Sequence, residues 1–408
     1  MFRRGLLLVF ATIFWLIASA SFAAFAQTGA ASIKIFDRQD ALVTHLVDGD
    51  LIHLGVVLPE NVVQTTPVNF TLQDVDAVIA ACTIPAGQNA CESQPFSALG
   101  WYWGVAGEPY PQRSLSAQIS NQPAIISTSV SIAPRPAVMV HGFSSTWEAW
   151  ANYLGPAGYL ASIGVQGYAV GDGQVAGVMN TGRIDVPTLR TNTIAENAAL
   201  LAEYIENVKA LTGAQKVDLI GHSMGGLISR YYIDRLMEEL DVAQLIMLGS
   251  PMAGSDCANL PASLGLYLPA MLEIRPAYIE GVFNQQITER HGIPFHALAG
   301  IPLLEPIQSP CTAVPSDLVV SKHSVAAIPL DLEEISVLHT DLNTSAQVFN
   351  TYLKPRLQTP PGGYTDTIDS PSTDGSIPSL QFTRVFTGHL AAGASQELTI
   401  QIDPGVTV

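Results

Sequence analysis

The sequence predicts an α/β fold, a mostly parallel sheet flanked by helices, placed between an all-β region and a short C-terminal β segment. After Pro134 and Pro136, strand-like runs alternate with helical patterns, which is typical of a parallel sheet with crossover helices. Before this point, short β-branched runs are separated by turn residues, as in a β-sandwich. After about Leu357, a stretch rich in Pro, Gly, Ser and Thr precedes two further strand-like runs.

The N-terminus has the three-part pattern of a secretory signal peptide. Arg3 and Arg4 precede an apolar run from Gly5 to about Ala20, and Ala24-Phe25-Ala26 supplies a cleavage site of the A-x-A type. An uncleaved anchor helix is the alternative, because the run approaches the length that spans a bilayer. The small residues favour cleavage near Ala26, since a spanning helix does not need them. We therefore expect a secreted or periplasmic protein whose mature chain has no stable membrane span.

The amino-acid composition limits the kinds of partner that the protein can bind. The 408 residues carry a formal charge of −17, which argues against nucleic acid and anionic membrane surfaces, and 48% of them are apolar, enough for a large core. Nothing in the sequence indicates an oligomeric state. The chain is predicted to divide into residues 1–26 (signal peptide), 27–132 (N-terminal β domain), 133–357 (α/β domain), 358–378 (linker) and 379–408 (C-terminal β segment).

Within the N-terminal region, strands are predicted over residues 51–58, 68–72 and 124–130. This region could bind a polymer, stabilise the α/β domain or act as a spacer, and Trp101-Tyr102-Trp103 is a candidate surface patch for the first of these roles. The tail has strand-like runs over 380–386 and 397–402, and two strands alone are not stable. Either they complete the N-terminal β layer or they begin a further, incomplete domain; we favour the second.

The four cysteines suggest two disulfides in an oxidising compartment. Of the three pairings, Cys82 with Cys91 and Cys257 with Cys311 is the most economical, because each bond then stays within one region. Neither spacing matches a zinc site.

The α/β region contains well-marked elements. Strands are predicted over 137–140, 216–220, 245–248 and 294–298, and helices over 193–212, 226–239 and 345–352. Thr193 and Glu196 form a capping box at the start of the first helix, and Gly213 can end it.

The run Gly221-His222-Ser223-Met224-Gly225 lies between a strand and a helix, where a nucleophile elbow belongs. Glycines at positions 221 and 225 permit a turn in which side chains would collide with backbone. The turn lifts the serine hydroxyl to a helix N-terminus, where negative charge is favoured. Ser223 is the predicted nucleophile; an ordinary strand–helix turn with a capping serine is the alternative.

A serine needs a base, and after an elbow the acid and then the histidine follow in the chain. His339 lies in a loop that opens the last helix and is the predicted base, with His323 as competitor and a plain surface histidine as the alternative for either. His296 lies in an apolar strand, His291 precedes the last assigned strand and His389 follows the linker.

Asp317 follows the strand at 294–298 and precedes His339, so it is the predicted acid that orients the imidazole. The other nearby carboxylates, Asp331, Glu333 and Glu334, are expected on the solvated element that leads to the histidine loop.

Acyl transfer needs donors for the oxyanion. The predicted donors are the backbone N–H groups of Met224 and Phe143, the second in the loop His141-Gly142-Phe143 after the strand at 137–140. Gly142 allows a close approach, and His141 is expected to fix the loop.

These motifs, together with Leu248-Gly249-Ser250-Pro251-Met252-Ala253-Gly254-Ser255 and Ser316-Asp317-Leu318-Val319-Val320, resemble those of secreted bacterial lipases and esterases of the α/β-hydrolase superfamily. The resemblance covers about residues 134 to 357 and includes the gap of 22 residues between Asp317 and His339. It implies an α/β-hydrolase core, the triad Ser223, Asp317 and His339, the oxyanion donors Phe143 and Met224, and a supporting loop set of His141, Gly142, Gly221, His222 and Gly225.

No cofactor is predicted. No carboxylate cluster clearly matches the calcium site of some family members, so a structural calcium stays an open alternative. The flanking β segments are not part of the common lipase core.

The expected substrates are lipids or other esters with apolar acyl groups. Residues 255 to 310 lie where lids are inserted, and either a buried helical cap or an acyl-facing lid fits their apolar residues, namely Leu260, Leu264, Leu266, Tyr267, Leu268, Met271 and Leu272. Polyester or amide hydrolysis or acyl transfer on the same triad, and a non-catalytic cell-surface binding protein, are the alternatives.

Overall fold

The computed structural model describes residues 30–75, 77–120, 125–186, 189–259, 268–302, 311–328 and 330–361. The predicted signal peptide, the C-terminal β segment and the linker beyond residue 361 lie outside these residues. So do Leu260, Leu264, Leu266 and Tyr267 of the apolar insertion.

The described residues between 32 and 133 form an all-β unit of nine strands in two sheets. The strands are β1 (Ser32–Asp37), β2 (His45–Val47), β3 (Leu51–Val57), β4 (Thr66–Leu72), β5 (Val78–Ile84), β6 (Ala90–Glu92), β7 (Phe96–Ser97), β8 (Gln112–Ile119) and β9 (Ile125–Ala133). One sheet has β3 paired antiparallel with β1, β6 and β7, and the other has the order β2-β9-β8-β4-β5. Alternate residues of β4 and β8 are buried, which matches a sheet with one face on a core.

The side chains of Trp101, Tyr102 and Trp103 are buried in this unit, at 6%, 8% and 3% exposure. The prediction that they form a surface patch was therefore wrong, because aromatic residues serve a core as well as a surface and their pattern alone does not distinguish the two. The first disulfide, Cys82–Cys91, joins β5 of one sheet to β6 of the other, as predicted.

A six-stranded parallel sheet follows, with the order β11-β10-β12-β13-β14-β15. Its strands are β10 (Ala137–Val140), β11 (Gly167–Ala169), β12 (Val217–His222), β13 (Val242–Leu248), β14 (Phe295–Gly300) and β15 (Asp331–Ile335). The predicted α/β fold is thereby confirmed. Because all six strands run in one direction, the loops at their carboxyl ends gather at a single edge of the sheet.

The two long helices are α1 (Ile194–Thr212) and α2 (Met224–Arg235). Helix α1 begins with the predicted capping box of Thr193 and Glu196 and ends at Gly213 in the left-handed conformation. The short helices are α3 (Pro269–Leu272), α4 (Pro276–Tyr278), α5 (Asn284–Gln286), α6 (Lys322–Val325), α7 (Ala346–Val348) and α8 (Lys354–Leu357). Tighter or wider helical turns cover Trp147–Tyr153, Ala161–Ile163, Asp256–Ala258, Ile279–Phe283, His339–Asp341 and Phe349–Leu353. In the described part of the chain, no helix has both the length and the apolar composition needed to cross a bilayer.

The central strands β10, β12 and β13 of the parallel sheet are buried throughout, and successive residues of these strands enter different cores. Val138 and Val140 of β10 belong to the core that holds α1 and α2, whereas Met139 belongs to the other core. That second core is continuous with the buried residues of the β unit, including Leu54 and Phe70. The β unit and the parallel sheet therefore share one hydrophobic core.

A buried ion-pair network also joins these two parts. Arg135 lies just before β10 and pairs with Asp48 of the β unit and with Asp218 of β12, at 3.2 Å from Nε to Asp218 Oδ1. All three side chains are buried, so their charges depend on one another rather than on water. Asp50 is also buried and accepts hydrogen bonds from the backbone N–H groups of Val47 and Gln215.

We expect Arg135→Met to lower the free energy of unfolding by about 3–5 kcal/mol, because it leaves two buried carboxylates without their cation. Urea unfolding followed by tryptophan fluorescence measures this. Arg183→Met is the matched control, since Arg183 pairs with Asp185 on the surface and its loss should change stability by less than about 0.5 kcal/mol. Equal effects of the two variants would contradict a structural role for the network.

Candidate active site

Ser223 stands at the junction of β12 and α2 in a strained backbone conformation, with φ of 54° and ψ of −126°. Non-glycine residues rarely adopt this conformation, and it is retained where the surrounding structure enforces it. Here glycines leave room for the turn: a Cβ on Gly221 would lie 2.6 Å from the Gly226 nitrogen, and one on Gly225 would lie 2.2 Å from the Val140 carbonyl oxygen. The geometry is that of a nucleophile elbow.

The loop after β10 approaches the elbow closely. A Cβ on Gly142 would lie 2.7 Å from Cβ of Ser223 and 3.3 Å from its Oγ, so only glycine fits there. His141 is buried, and its Nδ1 donates to the Gly142 carbonyl oxygen at 3.2 Å, which agrees with the expected loop-fixing role.

The backbone N–H groups of Phe143 and Met224 have no hydrogen-bond acceptor among the described residues. Backbone donors near a buried site normally have a partner, and the first N–H groups of a helix lack one within the helix. An oxyanion needs such unpaired donors, and one of these follows Ser223 in the chain while the other follows Gly142, whose backbone lies against Ser223.

Asp317 and His339 form a buried pair at the same edge of the sheet. His339 Nδ1 lies 2.7 Å from Asp317 Oδ2, and the His339 backbone N–H donates to the Asp317 carbonyl oxygen at 3.1 Å. Asp317 Oδ1 accepts from the backbone N–H groups of Val319 and Val320, at 3.0 and 2.7 Å. Because one oxygen is held by the backbone, the other is directed at the imidazole. Gly249 lies against the pair, where a Cβ would be 2.9 Å from Asp317 Oδ2.

His222 connects the elbow to the histidine loop. Its Nε2 donates to the carbonyl oxygen of His339 at 2.9 Å, and the two rings have centroids 4.7 Å apart. Since a carbonyl only accepts, Nε2 carries the proton; Nδ1 is buried without a partner in the described residues. Burial lowers the pKa of His222 to about 3, and burial also lowers the pKa of His141 to about 4. Both rings are therefore neutral at neutral pH.

These depressed pKa values predict a loss of stability in acid. Below about pH 6.5 the unfolded chain binds protons that the native His222 does not accept, so the free energy of unfolding falls as the pH falls. We expect His222→Gln, whose Nε2 replaces that of histidine, to flatten this dependence by about 1.4 kcal/mol per pH unit between about pH 6 and pH 4. Urea unfolding at a series of pH values measures it. His323→Gln, at an exposed histidine, should follow the wild type; equal slopes for all three proteins would contradict the prediction.

Among the described residues, no other histidine that follows Ser223 in the chain forms a hydrogen bond with Asp317 or His339. His323, the competing base, is exposed on α6, and His291 is exposed in a turn. His296 is half-buried in β14 and pairs with Asp331 at 3.1 Å. Asp331, Glu333 and Glu334 lie on β15, the element that leads to the histidine loop, as expected. His389 lies outside the described residues.

The structure thus brings Asp317 next to His339, His339 next to His222, and Ser223 next to Gly142. The Ser223 hydroxyl makes no hydrogen bond to a described residue, so its pairing with His339 stays a prediction. Catalytic hydrogen bonds are often long before substrate binds.

Sequence reasoning missed Thr181, whose hydroxyl donates to the Gly142 carbonyl oxygen at 2.8 Å. No motif marks this residue, and it lies far from Gly142 in the chain. It missed the roles of Val319 and Val320 for a similar reason, since backbone N–H groups carry no signal in the sequence. Among the residues that the structure describes, no group of three or more His, Cys, Asp or Glu side chains could hold a metal ion.

The insertion after β13 is anchored where it is described. Leu268, Met271 and Leu272 are buried, which favours the cap interpretation for this part. Glu273 Oε2 accepts from the Ile194 backbone N–H at 2.5 Å, at the start of α1. The predicted second disulfide, Cys257–Cys311, ties the two ends of the insertion together.

A groove elsewhere, near the amino ends of β12 and β13, is lined in part by charged residues that bond to neighbouring groups. Arg38 pairs with Glu239, Lys216 donates to the Leu240 carbonyl oxygen, and Lys209 binds Asp241 at 2.6 Å. The groove holds none of the candidate catalytic groups.

Residues 138–292 match a family model described as alpha/beta hydrolase fold, a range that contains Phe143, Ser223 and Met224 but ends before Asp317 and His339. A triacylglycerol lipase from Burkholderia plantarii is 29% identical over 213 residues, which are 51% of this chain and 55% of that protein. A triacylglycerol lipase from Pseudarthrobacter phenanthrenivorans is 32% identical over 180 residues, 43% of this chain and 51% of that protein. The chain spans about half the length of these curated relatives.

Among solved structures, the mature form of the Bacillus licheniformis lipase BlEst2 is similar with a TM-score of 0.44 and 18% identity, over 55% of this chain and 91% of that chain.

Proposed function

From the α/β-hydrolase fold that this chain shares with bacterial lipases and esterases, we propose that it hydrolyses carboxylic esters with apolar acyl groups through an acyl-enzyme on Ser223. The observation that carries the proposal is the strained Ser223 at the carboxyl edge of the sheet, with two unpaired backbone donors beside it and a buried Asp317–His339 pair at the same edge.

In the first half-reaction, Ser223 Oγ attacks the ester carbonyl carbon while His339 Nε2 takes its proton. Negative charge moves to the carbonyl oxygen, where the N–H groups of Phe143 and Met224 stabilise it. Asp317 holds the proton of His339 on Nδ1, which leaves Nε2 free to act as the base. The tetrahedral intermediate collapses, the C–O bond to the alcohol breaks, and His339 gives its proton to the leaving alkoxide.

In the second half-reaction, water replaces the alcohol and attacks the acyl-enzyme. His339 Nε2 takes a proton from the water, and the oxyanion forms again between Phe143 and Met224. The bond from the acyl carbon to Ser223 Oγ breaks, the carboxylic acid leaves, and Ser223 regains its proton.

The preference for apolar acyl groups is supported by the curated relatives, both named triacylglycerol lipases, and by the apolar insertion before the acid. Two formed disulfides support activity outside the cytoplasm, in agreement with the expected signal peptide.

Purified protein incubated with p-nitrophenyl butyrate, p-nitrophenyl palmitate and the p-nitroanilide of the same acids tests the proposal. We expect hydrolysis of the esters, with the anilides much slower. Anilides cleaved at the rate of esters would favour the amidase alternative. Absence of hydrolysis together with absence of labelling by a fluorophosphonate would contradict a catalytic role and favour a binding protein.

A further inference from the structure

We propose that Thr181 is a positioning residue for this reaction, because its hydroxyl sets the orientation of the peptide between Gly142 and Phe143 and so aims the Phe143 N–H at the oxyanion. The inference rests on the proposed function, since it concerns the oxyanion that ester hydrolysis creates.

Thr181 contacts the peptide that carries the Phe143 N–H. Thr181 is 1% exposed, and its Oγ1 donates to the Gly142 carbonyl oxygen at 2.8 Å. In a trans peptide the C=O and the following N–H point in opposite directions. A Gly142 carbonyl held on the side of Thr181 therefore directs the Phe143 N–H away from Thr181. The Gly142 backbone lies against Ser223, so this peptide is next to the elbow.

The segment that carries Thr181 is itself held in place. Its neighbour Asn180 forms two hydrogen bonds with Asn197, from Asn180 N to Asn197 Oδ1 at 2.9 Å and from Asn197 Nδ2 to the Asn180 carbonyl oxygen at 3.3 Å. Asn197 lies on α1 and is fully buried. The hydroxyl of Thr181 is thus connected to a long helix rather than to a free loop.

Another hydrogen bond joins the segment that contains Thr181 to the loop that contains Phe143. The Ile184 backbone N–H donates to Ser144 Oγ at 3.0 Å, next to Phe143. Ser144 has φ of 54°, a conformation that an L-residue keeps only when its surroundings enforce it. Residues 180–184 therefore contact the oxyanion loop (residues 141–145) on both sides of Phe143.

Loss of the Thr181 hydrogen bond is expected to destabilise the transition state more than the ground state. The ground-state carbonyl oxygen needs the Phe143 N–H less than the oxyanion does, so loss of orientation lowers kcat more than it changes KM. Removing an oxyanion donor lowers kcat by about 10²- to 10³-fold. Because His141 Nδ1 still donates to the Gly142 carbonyl oxygen at 3.2 Å, we expect a smaller loss here, of about 10- to 100-fold.

The test compares Thr181→Val, which keeps the shape and removes the hydroxyl, with Thr181→Ser, which keeps the hydroxyl. Thr191→Val is the matched control, since Thr191 is equally buried and its hydroxyl accepts from Ala270 instead of contacting the oxyanion loop. The readouts are kcat and KM for p-nitrophenyl butyrate, the rate of Ser223 phosphonylation by a fluorophosphonate, and the melting temperature.

We expect Thr181→Val to lose about 10- to 100-fold in kcat and in phosphonylation rate, with KM changed by less than about threefold, while Thr181→Ser recovers most of the loss. Thr191→Val should keep wild-type kcat. If Thr181→Val reacts like the wild type, or no worse than Thr191→Val, the inference is overturned and the proposed function stands. If the wild type itself neither hydrolyses esters nor is phosphonylated, both are overturned. A melting temperature of Thr181→Val that falls while Thr181→Ser fails to restore kcat would also overturn it, because the role would then be structural.

Discussion

Replacing Ser223 by alanine is expected to lower kcat for ester hydrolysis on the order of 10⁶-fold and to abolish labelling by a fluorophosphonate. The substitution removes the oxygen that forms the acyl bond, and the remaining groups act only on water. Since Ser223 Oγ makes no hydrogen bond to a described residue, its loss should leave the fold intact. Steady-state hydrolysis of p-nitrophenyl butyrate and mass spectrometry of the labelled protein measure the two effects.

Ser162→Ala provides the control for this experiment, because Ser162 is exposed on a helical turn between β10 and β11. It should retain wild-type kcat and labelling. Labelling of Ser223→Ala at the wild-type rate would show that another residue is the nucleophile and would refute the elbow assignment.

Asp317→Asn is expected to lower kcat by about 10⁴-fold with little change in the fold. An asparagine oxygen can still accept from the backbone N–H groups of Val319 and Val320, so the loop should keep its shape. The amide nitrogen then faces His339 Nδ1 and donates to it, which places the ring proton on Nε2. In that tautomer His339 cannot take the proton of Ser223. The loss should appear in kcat for both butyrate and palmitate esters.

The chain supplies a matched control in a second aspartate–histidine pair. Asp331 Oδ2 lies 3.1 Å from His296 Nδ1, near the start of β15 and away from the elbow. Asp331→Asn removes the same charge next to a histidine and should change kcat by less than about twofold. A loss for Asp317→Asn no larger than that for Asp331→Asn would exclude Asp317 as the catalytic acid.

Several features were predictable because their physical causes are local in the sequence. The start of α1 depends on Thr193 and Glu196, which cap the same turn. The candidate nucleophile was identifiable because glycines on either side of it are needed within one tight turn. The pairing of Cys257 with Cys311 followed from keeping each bond within one region, and the structure confirms it.

Burial was harder to predict than secondary structure. Trp101 and its aromatic neighbours were expected on the surface and lie in the core. Asp48 lies buried against Arg135, 87 residues away in the chain, and no sequence pattern indicated this pairing. Neither outcome depends on neighbouring residues in the sequence; both depend on which surfaces the two sheets cover.

The sequence by itself determined the parallel sheet, the candidate elbow at Ser223, and the candidate order of serine, acid and histidine, because strand patterns and glycine requirements are properties of short segments. Only the tertiary structure paired Asp317 with His339, placed His222 against the His339 carbonyl oxygen, and brought Thr181 to Gly142, 39 residues earlier. The reason is physical: a hydrogen bond between distant loops requires that both be positioned by elements whose packing no single segment encodes.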